Sequence, residues 1–282
     1  MSRRKGPCGH PAAGLSRRKR IRTGGGMEIL MAGQGALAFA AACLVTLFAG
    51  FVKGAVGFAM PLIMIGSFSA FLPPQVALAG LIMPTLVTNL MQALRDGPAA
   101  AAGSAWKFRR FLIGTVVFIA ISAQFVTAIP RGAFLLLLGV PITAFALVQL
   151  SGQPLALRLE HRTRAEWTAG VIGGLYGGIS GVWGPPLIVY LLSTGAGREE
   201  TLRVLGVVFL IGACALLGAH IGSGVVNVQT AAFSTALVVP AVVGLALGLR
   251  LGRRLDQARF RWWTQVLLVA TGLNLVVSAL RG

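Results

Sequence analysis

Charge is what this sequence has least of. Asp, Glu, Lys and Arg make up 11% of its 282 residues, about half the share found in ordinary soluble domains. So few polar side chains leave a water-facing surface of this size uncovered. Cysteine is equally scarce, at 3 residues, which excludes a disulfide-knit secreted scaffold. Acids number only 7. Nucleotide-binding P-loops, HExxH helices, paired His/Cys ligands and GxSxG elbows are all missing, so nothing supports ATP hydrolysis, a metal site or covalent catalysis, and no cofactor is called for. What remains is apolar: 56% hydrophobic residues with 38 Gly and 13 Pro and a mean hydropathy of +0.81. That content excludes disorder and points to an all-α polytopic membrane protein.

The net charge of +18 divides unevenly. Arg3, Arg4, Lys5, Arg17, Arg18, Lys19, Arg20 and Arg22 lie in residues 1–26, a segment without an acid. Its basic, Gly/Pro/Ser-rich composition reads as a disordered tail. Three readings stand for it: a cytoplasmic arm on anionic lipid, a twin-arginine export signal at Ser16-Arg17-Arg18, or an extension upstream of a start at Met27. The third is preferred. Elsewhere the charge falls between apolar runs, which is loop charge, and no nucleic-acid partner is expected. Cys43 and Cys214 sit inside such runs and read as buried, inert thiols.

Apolar runs occupy 29–52, 55–72, 75–95, 110–129 and 132–150, then 166–182, 184–195, 203–222, 227–250 and 263–281. Those at 55–72 and 166–195 are interrupted by Pro. The expectation is about eight transmembrane helices with broken or re-entrant segments. Gly50, Gly54, Gly57 and Pro61 align without gaps on Gly174, Gly178, Gly181 and Pro185, 124 residues further on, as in an internal duplication. Loops 95–110, 151–165 and 250–262 are rich in Arg, whereas 73–75 and 222–227 carry no charge and 129–132 only Arg131. The positive-inside rule makes the first three cytoplasmic, and equivalent loops of the two sets then face opposite sides. The chain therefore divides into a tail (1–26), a first membrane repeat (27–150) and an inverted second repeat (151–282).

A helix interrupted in the membrane leaves N–H groups unpaired, and their partial positive charge suits an anion. The breaks place Gly54, Gly57 and Pro61, and Gly178, Gly181, Gly184 and Pro185, as candidate substrate contacts. Gly at such spacing also serves helix packing, and both readings stand. Lys53, beside the first break and without an acidic neighbour, is either a cavity cation or a Lys at a helix end. Thr85, Thr88, Asn89 and Gln92 share one helical stripe, facing a polar pathway or a neighbouring helix. All seven acids fall in loops or at run ends, His220 reads as interfacial, and Trp262-Trp263 as an interface anchor. A cationic site without carboxylates favours a small anionic substrate, with the bilayer as the other partner. Association with further copies of the chain stays open.

At these residues the chain resembles the sulfite exporter TauE/SafE family of membrane permeases. The likeness runs through Gly50-Phe-Val-Lys-Gly-Ala-Val-Gly-Phe-Ala-Met-Pro-Leu, then Pro74, Ala77, Ala79 and Thr88-Asn89. In the second half it runs through Gly174, Gly178-Ile-Ser-Gly181-Val-Trp-Gly-Pro-Pro-Leu-Ile-Val-Tyr190. It spans about residues 35–280. The resemblance implies a duplicated membrane fold, in a bacterial inner membrane, that exports a small sulfur-containing oxoanion such as sulfite or an organosulfonate. Lys53, Asn89 and the two breaks carry over as candidate contacts. An anion channel, or a membrane enzyme or assembly factor for an anionic lipid-linked substrate, are the alternatives.

Overall fold

The computed structural model describes residues 34–152, 161–254 and 256–281, and the tail at 1–26 lies outside them. Among the described residues every regular element is helical. The first half runs α1 (Ala36–Val56), α2 (Met60–Phe68), α3 (Pro74–Ala93), α4 (Pro98–Lys107), α5 (Arg109–Ser122, with a 3-10 turn to Ala128) and α6 (Arg131–Leu150). The second runs α7 (Arg162–Ser180), α8 (Gly184–Ser193), α9 (Arg198–Gly222), α10 (Val228–Ala236), α11 (Val238–Leu251) and α12 (Gln257–Leu280).

Among the described residues seven helical stretches are long and apolar enough to cross a bilayer: α1, α3, α5 with its turn, α6, α9, α10 with α11, and α12. Their outer faces carry exposed Leu44, Ile113, Val140, Val239 and Leu273. Such a belt is costly in water and at home in lipid, so the chain is a polytopic helical membrane protein. At 19 residues α7 matches a span in length. Arg162, Arg164 and Glu166 in its first turns and five glycines lower its hydropathy, which separates the seven from the expected eight.

Small residues decide which helices touch. Along α1 and α11, a Cβ on Gly50 or Gly54 would lie 2.4 Å from a carbonyl oxygen of Ala241 or Leu245, and one on Gly244 or Gly248 would meet Leu47 or Phe51 backbone as closely. The α5–α7 pair repeats this with Gly114, Gly170, Gly174 and Gly178. In both pairs the backbones approach to the limit that missing side chains permit. Helix α6 packs on α12, and α3 on α9. Pro84, inside α3, lacks the N–H that would bond the Gly80 carbonyl. Ser234 of α10 supplies the missing donor to that carbonyl at 3.3 Å and accepts from the Met83 N–H at 3.0 Å.

Several expectations are corrected. The stretch 95–110 is not all loop: Pro98 at the first turn and the alanines after it form α4. His220 is fully buried rather than interfacial, because the last turns of α9 pack against α7. Its Nε2 donates to the Gly178 carbonyl at 3.0 Å, and its Nδ1 lies 3.1 Å from Ser223 Oγ. Glu166 is buried too, in the α5–α7 crossing, where Oε1 accepts the Phe111 N–H at 3.3 Å and Oε2 lies 3.7 Å from Arg110. A carboxylate there serves the open N–H groups and positive dipole end of α5. Cys214 is exposed on the outer face of α9, and Cys43 is half-buried.

Candidate functional site

The two breaks are built alike. Helix α1 ends at Gly57 (φ 94°), and its N–H donates to the Lys53 carbonyl at 2.7 Å. Helix α7 ends at Gly181 (φ 72°), whose N–H donates to the Gly177 carbonyl at 2.7 Å. Left-handed backbone after the last turn is what glycine permits at low cost. Three residues after each glycine a new helix starts, α2 at Met60 and α8 at Gly184, with Pro61 and Pro185 in the first turn. Proline needs no N–H there and its φ is already helical. Ala59 has φ 76° without being glycine, a conformation that costs about 1–2 kcal/mol for a residue with a Cβ. In the second break Ser180 Oγ accepts the Val182 N–H at 3.1 Å, so that segment satisfies part of its own backbone.

The first turns of α2 and α8 meet at a small cleft, lined from one side by Phe58, Ala59, Pro61 and Leu62 and from the other by Gly181 through Pro185. Its side chains are apolar. Helix geometry leaves the N–H groups of Met60, Leu62 and Gly184 without acceptors in their own helices, and the positive ends of α2 and α8 lie beside the cleft. Trp183 stands in its wall at 2% exposure, slotted where a Cβ on Gly212 would lie 2.6 Å from the indole, with Phe209 edge-on at 6.0 Å.

Lys53 lies one helix layer behind. It is buried, and Nζ donates to Thr88 Oγ1 at 3.0 Å and to Asn89 Oδ1 on α3. Among the described residues no carboxylate pairs with it. A buried Lys held only by neutral oxygens is costly and uncommon. Thr88 Oγ1 also lies 3.6 Å from Met60 Sδ, which connects this polar cluster to the first residue of α2.

The candidate residues therefore fall into four places. Pro61, Gly181, Gly184 and Pro185 line the cleft, and Lys53 and Asn89 join behind it. Gly57 shapes the break, and its carbonyl accepts from Gln92 Nε2 at 3.2 Å. Gly54 and Gly178 do not line the cleft, because their missing side chains make room for α11 and α5. Helical spacing alone leaves open which neighbour a glycine meets. Gln92 was legible only as part of the α3 stripe: the same Nε2 also donates to the Leu202 carbonyl of α9 at 2.9 Å, a partner 110 residues away.

Seven candidate spans among the described residues, with two similarly built helix breaks at one cleft, define the class: a multi-pass helical membrane protein. A family model described as Sulfite exporter TauE/SafE matches residues 42–275. The chain belongs to this family of membrane transporters, and its place in the membrane and in transport follows from that. No curated protein and no solved structure matched it.

Proposed function

We propose that the protein is a secondary transporter that exports a small sulfur-containing oxoanion, such as sulfite or an organosulfonate, across a bacterial inner membrane. The observation that carries this reading is the convergence of the first turns of α2 and α8 on one cleft. The positive ends of both helices lie beside it, and among the described residues no carboxylate lines it. The substrate contacts are Met60, Leu62 and Gly184 through backbone N–H, with Pro61, Gly181 and Pro185 shaping the wall. Lys53, held by Asn89, is the cation behind them.

The same reading treats residues 27–150 and 151–282 as inverted repeats. Its support is that α1 packs on α11 while α7 packs on α5, so each broken helix leans on a helix of the opposite half. Rocking of one half against the other would expose the cleft to each side in turn. The Arg-rich end, where Arg110 faces Glu166 and Arg203 faces Asp96, is the cytoplasmic one under the positive-inside rule. Nothing at the cleft resembles a catalytic set, and the reading involves no chemical step.

The test is uptake of radiolabelled sulfite and methanesulfonate by proteoliposomes holding the full chain, with and without a pH gradient. Saturable uptake that unlabelled substrate inside the vesicles accelerates supports a carrier. Non-saturating flux at high conductance would make it a channel, and no flux of either anion from folded protein would remove the sulfur assignment.

A further inference from the structure

Threonine hydroxyls in these helices usually bond the carbonyl four residues back, as Thr46, Thr143 and Thr271 do at 2.7–2.8 Å. Thr85 on α3 does not. It is 1% exposed and its Oγ1 has no hydrogen-bond partner among the described residues. Asn89, one turn on and fully buried, is in the same position. Its Oδ1 is committed to Lys53, which leaves Nδ2 facing outward from that bond, and Nδ2 has no partner either.

Lys53 closes the account. An ammonium has three N–H donors, and the partners of Nζ are two: Thr88 Oγ1 and Asn89 Oδ1. Thr88 Oγ1 and Asn89 Oδ1 are thus occupied as acceptors, while N–H donors on Lys53 and Asn89 and the Thr85 hydroxyl, which can donate, are left over where α1 meets α3. Unsatisfied buried polar groups are rare in native proteins, and two of them beside a lysine with an N–H to spare call for an absent partner. Whatever satisfies them must bring acceptors and few donors. An oxoanion with several oxygens does so, whereas a halide offers one centre and a carboxylate two oxygens.

We propose that Lys53, Thr85 and Asn89 form a second, occluded seat for an oxoanion, separated from the cleft by Met60. Met60 opens α2 beside cleft-lining Pro61, is fully buried, and touches Thr88 through sulfur. Its unbranched thioether can take another rotamer without moving a helix. The anion would leave the backbone donors of the cleft, pass Met60, and take side-chain donors on α1 and α3. This deepens the reading given above and rests on it.

The experiment is equilibrium binding of sulfite, methanesulfonate, sulfate, phosphate, acetate and chloride to the purified full chain, as wild type, Thr85→Val and Thr85→Ser. Thermal unfolding is measured on the same samples. The seat predicts that Thr85→Val raises the Kd of the bound oxoanion about tenfold, the loss of one hydrogen bond to a charged group. Thr85→Ser should restore it, and chloride should be indifferent to either change. If Thr85 is idle, Val instead removes an unsatisfied hydroxyl, raises Tm and leaves every Kd unchanged, and the seat is overturned. Should the Val variant not fold, Thr85→Ala takes its place with the same expectations. Absence of any sulfur oxoanion among the wild-type ligands would defeat the transport reading. The seat fails separately if no oxoanion of any kind binds, or if the one that binds ignores Thr85.

Discussion

Gly57 and Gly181, 124 residues apart in sequence, hold the same place in two separate helix breaks. Each has positive φ, each donates its N–H to the carbonyl four residues back at 2.7 Å, and each precedes a new helix by three residues. A chain that ends a membrane helix twice in the same way, and brings both new helix starts to one cleft, has paired two positive helix ends there.

The two glycines should therefore respond to substitution alike. Alanine at either position enters left-handed backbone at a cost of about 1–2 kcal/mol. Its Cβ would also press on Leu202 at Gly57 or on Leu81 at Gly181. Both variants should show lower Tm in detergent and slower anion flux, measured by thermal unfolding and proteoliposome uptake. A variant with wild-type flux would show that its break has no part in transport.

Gly54 and Gly178 should behave differently. A Cβ at Gly178 would lie 2.1 Å from Ser122 Oγ and 2.7 Å from the Ile119 carbonyl, and one at Gly54 would strike the Leu245 carbonyl. Overpacking of this kind costs about 1–3 kcal/mol. Alanine at either site should lower Tm while leaving the KM of the folded fraction unchanged. A raised KM with unchanged Tm would return these glycines to the substrate site.

Gln92 joins the first break to the opposite half by bonding both the Gly57 and Leu202 carbonyls. Gln92→Leu removes both bonds and should destabilise by about 1–2 kcal/mol. By contrast, the Lys107–Glu200 pair is largely exposed on the Lys side, and Lys107→Ala should cost less than about 1 kcal/mol. Denaturation of the two variants side by side checks the ranking, and a larger loss at Lys107 would reverse it.

Much of this was legible in the residues. Gly followed by Pro inside an apolar run marked both breaks, because each residue has a backbone reason to stand there. The equal spacing of Gly57/Pro61 and Gly181/Pro185 already implied matching geometry. Hydropathy located the spans because the bilayer imposes their length. What stayed hidden is what depends on a neighbour. Gly54 and Gly178 fit a break or a crossing equally well until α11 and α5 are in place. His220 and Glu166 lie near helix ends, where a single helix meets the interface, yet their partners on other elements bury them. Thr85 was legible as polar, but its lack of a partner is a property of the packed fold.

Glu166 gives a further check on that packing. Glu166→Leu leaves the buried Phe111 N–H without an acceptor, and should cost about 1–3 kcal/mol, seen as a fall in Tm. Glu166→Gln keeps an acceptor oxygen and should recover part of the loss. Equal stability of the two variants would mean that the bond to Phe111 contributes nothing.

Lys53, buried and without an acid partner among the described residues, is proposed to hold an anion for transport behind the two helix breaks. The most direct test is saturable sulfite flux through proteoliposomes of the full chain carrying Lys53→Ala, compared with wild type at matched amounts of folded protein. The account predicts that flux falls at least about tenfold, as for loss of one charge-assisted hydrogen bond to the anion, while the protein still elutes as a single folded species. Wild-type flux from folded Lys53→Ala protein would contradict it.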